Sequence, residues 1–568
     1  MSNDNRNFLT FAILAVLLLF GWPLVMNRFF PPANPPVTTI KDGKTQAQPN
    51  LNTPAPSTPD KLRDLQSVLK ESAGQRIAID TPTLKGSINL KGARIDDLVL
   101  TQYKETIEKN SPPTRLLSPA GAPDAYFAEL GWADTGIGAP REDTLWTADG
   151  DKLVPGKPVT LRTTNGKGQA FAIQFAVDDQ YMFTIRQSVS NLSGHPIDVA
   201  PAGAVNRGSA SKDLDSWSIQ VGPMSVHNGK ADYDLNWKDV DAGAKSFTTQ
   251  GGWLGFSDKY WLTALIPDQQ SAFTGTFSPL PNKGYRSTYI RNKVTVPAGR
   301  TLTQTSRFFA GAKEVRMLDR YTDKSGIGLL DYAIDWGWFR VIEKPIFYYL
   351  DWLFRQIGNF GVAIMLLTVT IRLLIFPIAQ RQFASMAQMR AIQPKMKALQ
   401  EKHKDDKQRQ QQEVMALYKA EGVNPLAGCL PTFLQIPIMY SLYKVLMLTI
   451  EMRHQPFVAW IKDLSAPDPL TPVNLFGYLH FTPPHMIAIG VVPILLGISM
   501  WLQFKMNPQP MDDAQKQVFA LMPWVLMFVM APFAVGLQVY WITSNLLTVL
   551  QQRVLYARHP ALKQAVAK

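Results

Sequence analysis

Five apolar stretches, at about 359–379, 428–450, 485–504, 518–534 and 536–555, dominate the C-terminal part of this 568-residue chain, and a sixth runs from Phe8 to Met26. About 20 such residues in a helix cross the roughly 30 Å hydrocarbon core of a bilayer. The chain therefore folds partly in lipid. Its composition agrees: 18% of residues are charged, 46% hydrophobic and 11% aromatic, whereas soluble domains carry about 25% charged residues. The length rules out a single small binding module. The lone cysteine, Cys429, excludes an intramolecular disulfide, a cysteine-based zinc site and a CxxC redox pair.

Residues 1–30 read as an uncleaved transmembrane anchor. The apolar run ends in Gly21-Trp22-Pro23 and continues to Asn27-Arg28-Phe29-Phe30, with no Ala-x-Ala-like cleavage site. A proline-rich linker over 31–60, with Pro31-Pro32, Pro35-Pro36 and four further prolines among polar residues, cannot bury a core. From 61 to 325 the pattern becomes period-two: Phe171, Ile173, Phe175 and Val177, then Tyr181, Phe183 and Ile185. Turn signals at Asn165-Gly166, Asp178-Asp179 and Asn191-Leu192-Ser193-Gly194 separate such runs at hairpin spacing. These features predict a large antiparallel β-sandwich, with a helical period only near Leu62 to Leu69. Residues 326–357 are dense in Trp and Tyr with charges interleaved, as in Trp336, Trp338, Arg340, Lys344, Asp351 and Trp352. They read as an amphipathic helix in the headgroup plane.

The remaining spans follow as transmembrane helix 2 over 358–380 and helices 3 to 6 over 428–555, the last two joined by the tight reversal Pro532 to Gly536. Six crossings place both termini on one side. Lys and Arg crowd the loop 381–427 (Arg381, Arg390, Lys395, Lys397, Lys402 and others) and the tail 556–568, whereas Glu451 to Pro484 holds only Arg453 and Lys462. By the positive-inside rule both termini and the basic loop are cytoplasmic, and the β domain is on the outer side of the membrane. Within the loop, Met386, Met389, Ile392, Met396 and Leu399 recur at helical spacing, Asp405-Asp406 supply a turn, and Val414, Leu417 and Tyr418 form a second stripe. This predicts a cytoplasmic helical hairpin with Pro394 as a kink. The net charge of +13 is explained by topology without any specific nucleic-acid ligand beyond ribosomal contact.

Arg372 lies inside the second span, within Thr368-Val369-Thr370-Ile371-Arg372-Leu373-Leu374. Burying it costs about 2.5–3.5 kcal/mol on insertion scales, so it must face water or an anion, or snorkel. None of the last five spans contains an Asp or Glu as counter-ion; they offer Thr368, Thr370, Gln435, Ser441, Gln538, Tyr540, Ser544 and Asn545 instead. Neutral polar groups wet a cation without neutralising it and leave its field free for an acidic visitor. The same absence weakens a proton-coupled transporter. Lys444, seven residues from Glu451, reads as snorkelling to the interface. Fifteen of the 20 methionines lie between Met365 and Met530, which suits both helix packing and surfaces that accept varied apolar partners. No Walker loop, HExxH, GxSxG or metal-spaced cluster occurs, and the seven histidines are scattered. Leu426-Ala427-Gly428-Cys429 mimics a lipoprotein box but sits mid-chain.

Arg372 with Pro377, Ala416 to Glu421 with Asn424-Pro425-Leu426, Gly428-Cys429-Leu430-Pro431, Gln435-Ile436-Pro437-Ile438, Gly536 to Trp541 and Ser544-Asn545-Leu546 together closely resemble the YidC family of membrane protein insertases, Gram-negative type. That family is related to the mitochondrial cytochrome oxidase assembly and chloroplast Albino insertases. The resemblance implies a multi-domain membrane protein of the bacterial inner membrane. Its parts would be an all-β periplasmic supersandwich like that of galactose mutarotases, a five-helix α-helical membrane core (six transmembrane helices in total) and the cytoplasmic hairpin. It also implies a hydrophilic groove open to cytoplasm and lipid, with Arg372, Thr368, Gln435, Tyr540, Trp541 and Asn545 as substrate-binding positions. Where the family often has two tyrosines this chain has Tyr540 and Trp541. Apolar segments would slide to lipid along the third and fifth spans, with Met439 and Met500 as candidate side chains. The implied activity is insertion and chaperoning of nascent membrane proteins, alone or with the Sec translocon. Ribosome, targeting machinery and membrane lipids are the further partners, and there is no cofactor, metal or catalytic residue. The alternatives are a solute transporter or a cell-envelope sugar-binding or sugar-modifying protein.

Overall fold

The computed structural model describes residues 62–213, 220–403, 406–422, 430–477, 479, 489–506 and 513–558. The anchor, the linker, the Gly428-Cys429 motif, most of the 478–488 stretch and the basic tail lie outside these residues. Two units partition the described residues: those from 62 to Trp336 with Leu448–Glu451, and Gly337–Met447 with the chain from Met452 on.

The first unit is built from β-strands. The alternation read at Phe171–Val177 forms the strand Gln169–Val177, with Phe171, Ile173, Phe175 and Val177 buried and the residues between them half-exposed. Asp178 turns the chain into Met182–Asn191 by accepting hydrogen bonds from the Gln180 and Met182 amides at 2.9 and 3.0 Å. Asn165 does the same upstream, accepting from the Lys167 and Gln169 amides at 3.0 and 3.3 Å. Twenty strands assemble into an eleven-stranded and a nine-stranded sheet. Pairing is antiparallel except where Arg76–Asp80 meets Lys152–Leu153. The first sheet ends in Lys245–Gln250 and Lys152–Leu153, the second in Lys230–Asp232 and Thr147–Ala148. Inward faces of the two sheets interlock through Trp132 on Phe171 and Phe256 on Phe277, with ring centroids 5.0 and 6.1 Å apart. The buried Gln187 donates to the Ala202 carbonyl across the sandwich at 3.2 Å. Gly203 permits this packing: a Cβ there would stand 2.6 Å from the Tyr289 ring.

Helices in this unit are α1 (Leu65–Glu71), α2 (Trp237–Asp241) and α3 (Val315–Ser325). Of these, α1 matches the expected helical stretch, whereas α2 and α3 interrupt what reads as β-structure. In α3, Val315, Leu318 and Tyr321 are buried at three-residue steps and Gly326 (φ 62) ends the helix. Two buried charged groups stand out. Arg207 grips Asp258 through two hydrogen bonds, 2.9 and 2.8 Å, over the Tyr126 ring. Lys313, 3% exposed, donates to Ser257 Oγ at 3.0 Å. Burial pushes its ammonium down to about 8, against the pull of Asp258, Asp213 and Asp335.

The second unit is helical: α4 (Arg340–Ile357), α5 (Phe360–Lys402), α6 (Lys407–Ala420), α7 (Leu430–Leu448), α8 (Val491–Met506), α9 (Asp513–Met530) and α10 (Val535–Arg558). The amphipathic segment expected over 326–357 becomes regular α-helix only from Arg340, because Gly337 adopts φ 62 between two short 3-10 turns. It buries Phe347, Leu350 and Leu353 and leaves Trp338 97% and Val341 84% exposed. Among the described residues, Phe360–Gln380 is the one stretch long and apolar enough by itself to cross a bilayer. Its helix does not stop at the expected boundary but runs unbroken through Pro377 and Pro394 to Lys402. Asp406 caps α6 by accepting from the Arg409 amide at 3.0 Å. The two arms meet where the Tyr418 hydroxyl reaches Met396 Sδ at 3.1 Å and Lys395 pairs with Glu421 at 2.6 Å.

Candidate functional site

The site forms where α10 packs on both α5 and α8. Thr368 and Arg372 are one turn apart on α5, and α10 repeats a polar residue at every fourth position, Tyr540, Ser544, Thr548 and Gln552. Each of these four on α10 is buried, as is Thr368. Arg372 is partly buried, and its Nη2 donates to Ser544 Oγ. Among the described residues it has no ion pair. Its neighbourhood is held by hydroxyls that also satisfy their own helices: Thr368 donates to the Ile364 carbonyl at 2.7 Å and Thr548 to that of Ser544 at 2.8 Å. Adjacent to Ser544, Asn545 points the other way and donates from Nδ2 to Ser499 Oγ on α8 at 3.0 Å. A polar layer thus joins three apolar helices, Arg372 to Ser544 on one side and Asn545 to Ser499 on the other. Between Thr368 and Arg372 on α5, Thr370 shares a 2.9 Å hydrogen bond with Tyr349 of α4.

The other sequence-derived positions are dispersed around this layer. Tyr540 is 1% exposed, one turn before Ser544, while Trp541 is half-exposed. Met439 is half-buried on α7. Met500 lies on α8, the fourth of the expected spans, and is buried rather than turned outward. The Gln435 side chain lies outside the described positions. Lys444 is buried at 3% exposure, which differs from the interface snorkelling expected of it. Ser499 was not anticipated, because nothing in its own segment marks it; Ser544 was legible through its i, i+4 register with Tyr540.

The helices that carry the layer are tied together at their starts by the loop Met452–Thr471. Asp468, buried at 7% exposure, accepts from Trp460 Nε1 at 3.0 Å, the Leu470 amide at 3.0 Å and the Val492 amide at the start of α8 at 2.8 Å. Gly490 makes room for it, since a Cβ there would stand 2.5 Å from the Asp468 Cβ. The Val535 and Gly536 amides at the start of α10 donate to the Ala466 and Leu464 carbonyls, both at 2.9 Å. Asn359, which caps α5 through the Val362 amide, donates to the Phe457 carbonyl at 2.9 Å. A single loop therefore supplies partners to the N-terminal ends of three helices.

Beyond the layer, none of the described residues form a group of His, Cys, Asp and Glu able to hold a metal ion. What the layer offers chemically is one fixed positive charge, hydroxyl and amide groups around it, and apolar helices on both sides.

Comparison with known proteins gives the same partition of the chain. Residues 76–349 match the model of the YidC periplasmic domain, and residues 352–562 match that of the 60Kd inner membrane protein family. The membrane protein insertase YidC of Zymomonas mobilis subsp. mobilis is 48% identical, the match covering 98% of this chain and 96% of that protein. That of Methylorubrum extorquens is 43% identical over 98% and 96% of the two chains. A crystal structure of an active YidC insertase with its first transmembrane domain resolved aligns over 84% of this chain and 92% of that one, at 18% identity and a TM-score of 0.35. With identity of this order along nearly its whole length, the chain belongs to the YidC family of inner-membrane protein insertases.

Proposed function

We propose that this protein inserts nascent membrane proteins into the inner membrane by way of a hydrated groove whose floor is the Arg372 layer. The observation that carries the reading is Arg372 itself: a cation in the one long apolar span, held by the neutral Ser544 hydroxyl and by no carboxylate among the described residues. A guanidinium whose protein partner is uncharged keeps its field for an acidic group arriving from outside. In this mechanism a client segment with an acidic or polar N-terminal stretch enters from the cytoplasm and docks transiently on Arg372, with Thr368, Gln435, Tyr540, Trp541 and Asn545 offering hydrogen bonds and ring contacts. Its apolar part leaves sideways into lipid past the half-buried Met439 on α7. Hydrophobic transfer, about 25 cal/mol per Å² of apolar area, drives release without a nucleotide.

The remaining organisation is part of the same proposal: six crossings, cytoplasmic termini, and the hairpin and basic tail meeting the ribosome and targeting machinery. So are work alone or beside the Sec translocon and contact of the exposed Trp338 and Val341 with lipid headgroups. The decisive experiment is insertion of a small acidic-tailed client into vesicles carrying the wild-type protein, Arg372→Lys or Arg372→Ala. Lys should retain insertion and Ala lose it; equal insertion by all three defeats the electrostatic step.

A further inference from the structure

The outer face of the nine-stranded sheet carries a second polar site. Four adjacent strands, Val159–Thr164, Gln169–Val177, Met182–Asn191 and Thr301–Ala312, lie side by side in register. Their inward residues, such as Leu161, Ile173, Ile185 and Phe308, form the core. Outward, one row across the sheet reads Arg162, Ala172, Ser188, Thr303, and the next reads Thr160, Gln174, Arg186, Thr305. Ala170 and Ala172 keep the middle strand low, so the face hollows into a groove of about 780 Å³. Ser188 and Thr303 share a hydrogen bond of 2.9 Å, and Ser190 and Thr301 one of 2.8 Å, which fixes a rank of hydroxyls along one wall.

Arg162 and Arg186 are both exposed, and among the described residues neither side chain makes a hydrogen bond or an ion pair. No carboxylate lines the groove. The acid nearest in effect is Asp149, held ionised first by the Thr160 amide and to a smaller extent by the field of Arg162. With strands about 4.8 Å apart and a rise of about 3.3 Å per residue, the two arginines stand about 12 Å apart on the diagonal of the groove. That is the reach of roughly four residues of extended chain.

The geometry points to a binding site for an acidic polypeptide segment in extended conformation. Its carboxylates would meet Arg162 and Arg186, and its amides would meet Gln174 and the Ser and Thr hydroxyls. Charge complementarity favours this occupant, since two exposed guanidinium groups with no ion pair among the described residues recognise carboxylates in pairs. A sugar is disfavoured, because the one ring at the groove, Phe171, is 1% exposed and presents no platform. A lipid is disfavoured because Leu145 is the only large apolar side chain there that is exposed.

The site stands apart from the Arg372 layer, and either reading can fail without the other. The test uses the full-length protein in nanodiscs and a fluorescent twelve-residue peptide rich in Asp and Glu, with affinity read by anisotropy. Every arm is run in wild type and again in the Arg372→Ala background, so that peptide held at the polar layer is separated from peptide held in the groove. Arg162→Ala with Arg186→Ala should weaken binding at least tenfold, and so should Ala172→Trp, which fills the groove while leaving both charges. A control pair on other surfaces, Lys238→Ala with Lys245→Ala, should leave affinity within twofold. The inference is overturned if the arginine pair or the filled groove binds like wild type, or if the control pair loses as much. Equal binding of an Asn and Gln version of the peptide, or tighter binding of a sulfated oligosaccharide, also overturns it.

Discussion

Replacing Asp468 with alanine should unfasten the start of α8 from the loop that ties the helices of the polar layer together. The carboxylate accepts three hydrogen bonds, from Trp460, Leu470 and Val492, at 2.8–3.0 Å and with 7% of the residue exposed. Bonds to a charged acceptor contribute about 1.5–3 kcal/mol each, and a carboxylate at a helix N-terminus adds about 0.3–1 kcal/mol. Simple addition overstates the effect, because water reaches some of the freed amides and the Leu470 carbonyl still accepts from Val491 at 3.0 Å. A net local cost of about 3–4 kcal/mol remains, equivalent to a factor of about 10²–10³ in the opening equilibrium. Hydrogen exchange of the protein in nanodiscs measures this directly. Amides at the start of α8 should exchange about 10²–10³ faster, and those at the start of α10, which hang on Ala466 and Leu464 of the same loop, should accelerate less. Asp468→Asn, which keeps an oxygen in place and loses the charge, should fall between. Exchange at Val492 within twofold of wild type would refute the claim that this carboxylate fastens α8.

Three further outcomes follow from named contacts. Ser544→Asp gives Arg372 a resident counter-ion, so insertion of an acidic-tailed client should drop at least tenfold while a neutral-tailed client is unaffected; an equal drop for both would point to misfolding instead. Asn545→Ala and Ser499→Ala should each destabilise the helical unit by about 1 kcal/mol, with a coupling of similar size in a double-mutant cycle; strict additivity would mean that their 3.0 Å bond is energetically idle. Lys313 has a depressed pKa in the folded state, about 8 against 10.5. Between those values the unfolded chain binds the extra proton, so its contribution to stability rises as pH climbs from about 8 to 10.5. Lys313→Met should therefore raise stability most below pH 8, by about 3 kcal/mol, and the gap to wild type should close toward pH 10.5; a gap independent of pH removes the buried ammonium as its cause.

The β-unit was readable because its alternation is strict, as in Gln169–Val177, and because Asp178 and Asn165 mark their turns with side chains that bond the backbone directly. Helix α3 escaped because one face of eleven residues, Val315, Leu318 and Tyr321, is too short a pattern to stand out among strands. Arg372 was conspicuous as a charge in an apolar run. Its partner Ser544 appeared in sequence only as neutral polarity, and the bond between Asn545 and Ser499 links positions 46 residues apart with no pattern relating them. The Met452–Thr471 loop was illegible for a different reason. The bonds that tie it to the start of α10 join backbone carbonyls to backbone amides, as Ala466 to Val535, and such groups carry no residue-type signature.

The outermost strands of the two sheets have a consequence for a member of a family of membrane protein insertases. A long free strand invites any extended polypeptide to add itself by main-chain pairing, which is how aggregation starts. Lys152–Leu153, Thr147–Ala148, Lys230–Asp232 and the side strand Val294–Val296 are only two or three residues long, the side strand Pro113–Leu117 begins on a proline, and Lys245–Gln250 opens on a lysine. Short borders of this kind give an extended chain little ladder to pair with, which limits capture through the main chain and leaves side chains as the means of any reversible contact.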